Sequence, residues 1–357
     1  MRRPFSLLGT LLFFLLLLGS CSTPNPSTHI PSLEKISGQW VSADTVAMEP
    51  SIRNFRGQAV VNRDITSISW FASAPYSGGY HTDVLKINGI VPEVSMFRWQ
   101  PYQALRKSTV DQFEITSSTR MLPDEDGVCW RIEITNTSRA EKDLQIDLDA
   151  IGFISKYGGD WQWWYPYPKL DGITSKRDEE VELVRKHIGK KNEGEIFVDE
   201  LIEGKPSGKK MPAKWPSDND ILASTKYSAK SEDAGLMVFD NESDAITGFG
   251  FISRPDSLSL YRSGGTARWQ WKLKPGEKKI LDFFMTYGDN EVAVRKNIKE
   301  WKNAFPNKFE NAKKTWEEKW QQIFSPGNPV LSGCFPVLET TDTLAKRLYY
   351  TRPLTML

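Results

Sequence analysis

The chain has 357 residues, and its 46 Lys and Arg against 45 Asp and Glu give a formal net charge of +1. Hydrophobic residues make up 39% and charged residues 25%, a balance typical of a globular protein with a sizeable core. A charge this close to zero excludes the strongly basic class, so no nucleic-acid partner is expected. Aromatic residues reach 12%, with 13 tryptophans, and such rings fill cores or stack on the apolar faces of sugars.

The first 36 residues indicate export. A short basic segment, Met1-Arg2-Arg3, precedes an apolar run from Leu7 to Leu18, which is shorter than the roughly 20 residues of a transmembrane helix. The run leads into Leu18-Gly-Ser-Cys21, which resembles a bacterial lipobox, so residues 1–20 are interpreted as a lipoprotein signal peptide. Cys21 would then carry a lipid anchor to a bacterial membrane, at the periplasm or the cell surface. The alternative is an ordinary signal peptide with an incidental cysteine.

Residues 21–36, rich in Pro, Ser and Thr, are typical of a flexible tether.

Residues 37–288 show the two-residue periodicity of β-strands. Apolar residues alternate with polar ones in three clear segments: Val128 to Thr135, Leu144 to Asp149 and Trp269 to Lys274. Turn sequences separate the segments, at Asp124–Gly127, Asn136–Ser138, Ser263–Gly265 and Lys274–Gly276. Many strands without long helices between them predict an antiparallel β-sandwich. The run from Ile280 to Tyr287 is apolar on both faces and is predicted to lie centrally in a sheet. Residues from about 174 to 232 are densely charged and are interpreted as an insertion on the sandwich.

An aromatic stretch within the sandwich supplies the candidate substrate-binding residues. Glycines and prolines flank it and favour a loop; its rings are Trp161, Trp163, Trp164 and Tyr165. So many rings on one loop cannot all point inward, so some are expected at the surface or at a domain boundary. They form either a platform on which a sugar stacks or a packing surface against the sandwich or a neighbouring domain.

Other potential sites are weaker. His81 and Asp83 can hydrogen-bond each other or a sugar, or can simply satisfy a strand end, and Arg98–Tyr102 lies nearby in sequence. The three histidines are too scattered for a zinc site, and no nucleophile-elbow or phosphate-loop motif is present. Cys129 and Cys334 are interpreted as two isolated thiols. No metal or cofactor is therefore predicted.

The C-terminal 69 residues favour helices. Asp289-Asn290-Glu291 is a plausible N-cap, and an apolar stripe follows it: Val294, Ile298, Trp301, Phe309, Ala312, Trp316, Trp320 and Ile323. These residues predict linker helices over 289–330. Thr341-Asp342 then caps a second apolar run of Leu344, Leu348, Tyr349, Leu354 and Leu357. The run has no C-cap glycine, so its apolar face is expected to dock on a module that this chain does not encode.

Three parts of this region carry a family resemblance. Trp316–Phe324, Ser332–Thr340 and Leu348–Tyr350 are similar to the linker and first barrel helix of six-hairpin, (α/α)6-barrel glycosidases. Arg268–Gly276 with Met285–Asp289 resembles the last hairpin of their N-terminal β-supersandwich. The resemblance covers residues 37–357. It implies a mainly β fold: a large antiparallel β-sandwich (supersandwich), then linker helices, then the first helix of a truncated (α/α)6 barrel at 331–357.

The resemblance also sets what is expected of function. In these glycosidases the catalytic acid and base are implied to lie in barrel loops well beyond the first helix, so no catalytic residue is assigned here. Glu339 and Asp342 are interpreted as helix-capping residues. The expected function is the N-terminal non-catalytic module of an exported glycoside hydrolase-like protein that acts on oligo- or polysaccharide, with the catalytic barrel missing from this chain. The alternatives are a carbohydrate-binding surface lipoprotein without hydrolase activity and a structural or assembly lipoprotein.

Overall fold

The computed structural model describes residues 30–36, 38–46, 50–78, 82–156, 197–202, 205–212, 226–233 and 235–354. In this part of the chain the fold is mainly β and antiparallel, followed by helices, as the sequence predicts. The chain divides into two compact units: one is Ser37–Trp316, and the other combines Met1–Ile36 with Glu317–Leu357.

The described strands have the following bounds: β1 (Val41–Ser42), β2 (Ser51–Arg53), β3 (Gln58–Val61), β4 (Ile68–Ser73), β5 (Tyr76–Gly78), β6 (Val84–Ile87), β7 (Met96–Gln100), β8 (Gln103–Val110), β9 (Phe113–Met121), β10 (Gly127–Asn136), β11 (Lys142–Ile151), β12 (Ile154–Lys156), β13 (Phe197–Ile202), β14 (Lys205–Pro212), β15 (Tyr227–Glu232), β16 (Gly235–Asp240), β17 (Ile246–Phe251), β18 (Ser257–Tyr261), β19 (Gly264–Leu273) and β20 (Lys278–Gly288). The helices are α1 (Leu33–Ile36), α2 (Glu291–Gln322) and α3 (Thr343–Leu354), and Ala43–Thr45 forms a 3-10 turn.

Three large sheets and one two-stranded sheet, β13-β14, make up the described part of the Ser37–Trp316 unit. The largest has nine strands in the order β1-β7-β8-β9-β10-β20-β17-β16-β15; a second has β18-β19-β11-β6, and a third has β12-β5-β4-β3-β2. Strand β20 lies between β10 and β17, so the predicted central position of Ile280–Tyr287 is confirmed. The four predicted turns all connect consecutive strands.

The alternating segments form strands because burying one face removes a row of apolar side chains from water. In β11 the buried residues Leu144, Ile146 and Leu148 alternate with polar ones. The main core contains residues of all three sheets, and at its centre the Trp130 and Phe283 rings stack with centroids 5.1 Å apart. The core therefore lies between the nine-stranded sheet and the two smaller ones.

The second face of the nine-stranded sheet is covered by α2. The helix begins after Asn290, whose side-chain oxygen accepts the Ala293 N–H at 3.0 Å, as the sequence predicts. A second core cluster joins its apolar stripe to sheet residues such as Cys129 and Phe284. Burial on both faces explains why the first four residues of β10, Gly127 to Trp130, are all buried.

Where the sequence indicates linker helices, the structure has one helix of 32 residues that runs through Pro306. Proline inside a helix costs about 3 kcal/mol, because it removes one hydrogen bond and its ring crowds the preceding turn. The neighbouring Phe305 and Phe309 are both buried in the second cluster, and their burial offsets that cost.

The charged stretch at 174–232 contributes two described features. Strands β13 and β14 pair with each other as a hairpin. Strand β15 pairs with β16 and forms one edge of the nine-stranded sheet. The last residues of the stretch are thus part of the sandwich.

The second unit has a small aromatic core of its own. Trp320 and Phe324 pack edge-to-face at 4.8 Å, and Tyr350 of α3 lies 6.0 Å from Trp320. The Trp320 indole N–H donates to the Pro31 carbonyl at 2.8 Å. Residues 33–36, at the end of the stretch interpreted as a tether, form the helical turn α1, and its Leu33 is fully buried. No helix among the described residues is both long and apolar enough to cross a membrane.

Candidate functional site

Most sequence-predicted site residues lie outside the described residues. This holds for the candidate substrate-binding residues Trp161, Trp163, Trp164 and Tyr165, and for the candidate lipidation site Cys21. His81 is also outside them. Cys129 and Cys334 are both free thiols: Cys129 is buried on β10, and Cys334 is exposed.

Asp83 is described, and its environment does not suit a surface sugar site. The side chain is fully buried, and neither carboxyl oxygen has a hydrogen-bond partner. Its backbone adopts φ = 64° and its carbonyl accepts the Thr66 hydroxyl at 2.6 Å. Burial raises the pKa of the Asp83 carboxyl well above its ordinary value, so the neutral form is favoured.

The segment Arg98–Tyr102 has structural roles. The Arg98 side chain donates to the Gly38 carbonyl at 3.0 Å, and the Trp99 indole donates to the Ser51 carbonyl at 2.7 Å. Tyr102 is fully buried and stacks on Trp316, with ring centroids 6.1 Å apart. The Arg98 and Trp99 side chains therefore bind backbone carbonyls of other segments, and the Tyr102 ring packs on α2.

Buried charge also holds α2 on the sheet. The Arg120 guanidinium donates to the Phe309 carbonyl at 2.7 Å and to the Gln103 side chain at 2.7 Å. Its central carbon lies 3.9 Å from the centre of the Phe309 ring. Burial lowers the pKa of Arg120, because removing a guanidinium from water disfavours its charged form. Arg120 therefore supports the helix and is not exposed to a substrate.

The structure brings together one group of ionisable side chains that the sequence does not single out. We refer to Tyr76, Asp126, Lys156, Tyr287 and Asp289 as the carboxylate–tyrosine cluster. Tyr76 begins β5, and Lys156, its register partner, ends β12. Asp126 lies in the turn between β9 and β10, and its carbonyl accepts the Tyr287 N–H at 3.2 Å. The cluster therefore lies where the ends of strands from two sheets meet.

Contacts within the cluster join aromatic rings to charges. The Tyr76 and Tyr287 rings pack edge-to-face with centroids 5.5 Å apart. The Lys156 ammonium lies 2.6 Å from the Asp289 carboxylate. Asp126 pairs with Arg56 at 3.1 Å.

Two aspartates of the cluster have opposite pKa shifts. Burial raises the pKa of Asp126, and this outweighs the opposite effect of Arg56. The hydrogen bond from Lys156 lowers the pKa of Asp289. Burial raises the pKa of Tyr76 to about 12, with further contributions from the charges of Asp289 and Asp126. The two carboxyls therefore differ in environment, because Asp126 is partly removed from water whereas Asp289 is paired with an ammonium group.

Sequence reasoning missed this cluster because its members lie in four separate segments. The only local signals were the turn at Asp124–Gly127 and the helix cap at Asp289–Glu291. Among the described residues, no group of three His, Cys, Asp or Glu side chains is placed to hold a metal ion.

No protein-family model matches the chain, and no curated protein matches it. Solved structures with similarity include a protein described as a kojibiose phosphorylase from the human microbiome, at 10% identity and a TM-score of 0.43, covering 76% of this chain and 35% of that one. A galactose mutarotase-related enzyme from Lactobacillus acidophilus has 11% identity and a TM-score of 0.37, covering 68% of this chain and 99% of that one. A bacterial glucoamylase complexed with acarbose has 8% identity and a TM-score of 0.42, and the match covers 89% of this chain and 41% of the glucoamylase. The chain thus spans well under half of the phosphorylase and of the glucoamylase.

Proposed function

We propose that this chain is a non-catalytic β-sandwich and linker module of an exported glycoside hydrolase-like protein that acts on oligo- or polysaccharide. The order of the elements carries the proposal. An antiparallel sandwich is followed by a helix that covers the nine-stranded sheet, and then by a short helix with a partly exposed apolar face. Six-hairpin glycosidases, which the sequence resembles, are implied to have this order before their catalytic barrel.

The close packing of α2 on the sheet supports a linker that is built into the sandwich. A side-chain carbon on Gly127 would overlap the Trp301 indole. One on Gly248 would lie 2.8 Å from the side chains of both Val294 and Ile298, closer than such atoms approach in proteins. Because glycine lets the helix lie this close, the helix has a defined position on the sheet.

The apolar face of α3 supports a helical partner domain. Tyr350 and Leu354 are buried, whereas Leu344 and Leu348, one turn apart, are 65% and 61% exposed. Together the two exposed leucines form a small apolar surface that a neighbouring helix can bury. In this proposal they pack against further helices of an (α/α)6 barrel, which would contain the catalytic carboxylates.

The carbohydrate partner is proposed from the aromatic stretch, whose first ring, Trp161, follows the end of β12 at Lys156 by five residues in the sequence. Tryptophan and tyrosine offer apolar faces for the C–H face of a sugar and a polar group at the edge. Export and anchoring through Cys21 are part of the same proposal, and would place the module where polysaccharides are met.

The first experiment measures oligosaccharide binding by the purified protein. We expect Trp163→Ala with Trp164→Ala to weaken binding by about tenfold or more, since loss of stacking costs on the order of 1.4 kcal/mol. The matched control is Trp271→Ala, which removes a partly buried tryptophan of β19 and is expected to leave affinity within twofold. Unchanged affinity in the double variant would reject the aromatic platform.

The second experiment reads the nucleotide sequence around the gene. An open reading frame for a helical barrel, in frame or adjacent, is the expected finding. If none exists and the purified chain still binds glycans, the surface carbohydrate-binding lipoprotein becomes the better account. If glycans do not bind but α3 captures another protein, the assembly lipoprotein is favoured.

A further inference from the structure

We propose that the carboxylate–tyrosine cluster is a second binding site for a neutral polyhydroxylated ligand, recognised through neighbouring hydroxyls as found in saccharides. The residues involved are distinct from the aromatic stretch. The inference shares only the class of ligand with the proposed function, and the experiment below separates the two.

The first observation is the combination of buried rings and accessible charges. Tyr76 and Tyr287 are buried, whereas the side chains of Asp126, Lys156 and Asp289 are 32%, 30% and 45% exposed. A ligand can therefore reach the carboxylates from solvent, while the two tyrosine rings pack against each other in the interior. All five residues belong to the Ser37–Trp316 unit.

The second observation is a buried polar group with no partner. The Tyr287 hydroxyl is shielded from solvent and lacks a hydrogen bond. Ser73 and Asp126 are close enough to influence its ionisation, but neither meets the geometry of a hydrogen bond. Because buried hydroxyls are nearly always paired, an unpaired one beside a partly exposed carboxyl indicates a site that a ligand completes. A ligand hydroxyl that draws Asp126 inward would let Asp126 accept from Tyr287.

The third observation is the charge balance, which favours a neutral ligand. The carboxylates already have cationic partners: Asp126 lies 3.1 Å from Arg56, and Lys156 lies 2.6 Å from Asp289 and 3.9 Å from Asp244. A cation would have to displace Arg56 or Lys156, and an anion would face three carboxylates. A neutral hydroxyl group avoids both costs, since it donates and accepts at once.

The ligand class follows from the polar groups that the cluster presents to solvent. The Asp126 and Asp289 carboxylates can each accept from a ligand hydroxyl, while the Lys156 ammonium can donate to a neighbouring one. A chain of alternating donors and acceptors suits adjacent hydroxyls on one carbon skeleton. Saccharides present such pairs, and their C–H groups are compatible with the nearby rings.

The experiment measures binding of maltotriose, cellotriose and sorbitol to the purified protein by saturation-transfer NMR and calorimetry. Three variants test the cluster: Tyr76→Phe, Tyr287→Phe and Asp289→Asn. Each removes one polar function without a large change in shape, and affinity for at least one probe is expected to fall about tenfold. The matched control is Tyr261→Phe, which removes a tyrosine hydroxyl on β18 outside the cluster and is expected to leave affinity within twofold.

The same variants in a Trp163→Ala, Trp164→Ala background separate the two proposals. A further tenfold loss in that background supports the cluster as an independent site. If the aromatic substitutions alone abolish binding and the cluster variants have no effect, this inference fails while the proposed function stands. Absence of binding to all three probes, or competition by calcium or ammonium ions at the same residues, would also overturn it. Circular dichroism of each variant checks that the fold is intact.

Discussion

Replacing Trp301 by alanine is the most direct test of whether α2 is part of the sandwich. The side chain is only 4% exposed and packs on Phe284, with ring centroids 5.6 Å apart. A tryptophan buries about 150–250 Å², and at about 25 cal/mol per Å² this corresponds to about 4–6 kcal/mol. Measured costs of Trp→Ala in cores are about 3–5 kcal/mol, so we expect the free energy of unfolding to fall by about 4 kcal/mol.

Urea unfolding followed by circular dichroism at 222 nm gives this free energy without depending on the lost fluorophore. Val292→Ala is the matched control, because Val292 lies on the same helix and is 77% exposed. Its effect should stay within about 0.5 kcal/mol. A loss below about 1 kcal/mol for Trp301→Ala would refute the packing of α2 on the sheet.

Gly127 allows the same contact to be tested from the opposite side. Gly127→Ala should destabilise the protein, because the added methyl would overlap the Trp301 ring. In a Trp301→Ala background the cost of Gly127→Ala should shrink. The difference between its cost in the wild-type protein and its cost in that background is the coupling energy of the two residues. The cost should not vanish, since the methyl would still lie 2.6 Å from the Met285 carbonyl oxygen. Strict additivity of the two substitutions would show that the two residues are not in contact.

Three further predictions concern a buried acid, a docking surface and the lipid anchor. Burial raises the pKa of Asp83 in the folded protein above its value in the unfolded chain. The contribution of Asp83 to the free energy of unfolding is therefore most favourable below about pH 4, and it is lost as the pH rises through the folded-state pKa. Asp83→Asn, which tolerates the positive φ, should therefore stabilise the protein at pH 7 and not at pH 4 in urea titrations; a pH-independent effect would contradict burial of the carboxyl. Leu344→Glu with Leu348→Glu should change unfolding free energy by at most about 0.5 kcal/mol per site and abolish association with a helical barrel domain in gel filtration; retained association would exclude this face. Cys21→Ser should abolish incorporation of labelled palmitate and release the protein from membranes, whereas equal labelling of both forms would exclude Cys21 as the anchor.

Local patterns in the sequence determined which segments are strands and where the last helices begin. Alternation over Leu144–Asp149 and Trp269–Lys274 predicts strands because burial on one face of a strand repeats every two residues. The spacing of Val294, Ile298 and Trp301 predicts a helix because burial on one face of a helix repeats about every 3.6 residues. The cap at Asp342 is equally local, and the structure confirms it: its carboxylate accepts the Leu344 and Ala345 N–H groups at 2.9 and 3.0 Å.

Only the tertiary structure decided how these segments are arranged. Strand β10 pairs with β20 about 150 residues later, and α2 continues through Pro306 because its flanking phenylalanines are buried on the sheet. Tyr76, Asp126 and Asp289 are brought together in the same way, by the ends of strands that belong to different sheets. Periodicity records which face of a segment is buried, but it does not record which partner buries it. Strand order, the course of the long helix and the carboxylate–tyrosine cluster therefore depend on contacts between residues far apart in the chain.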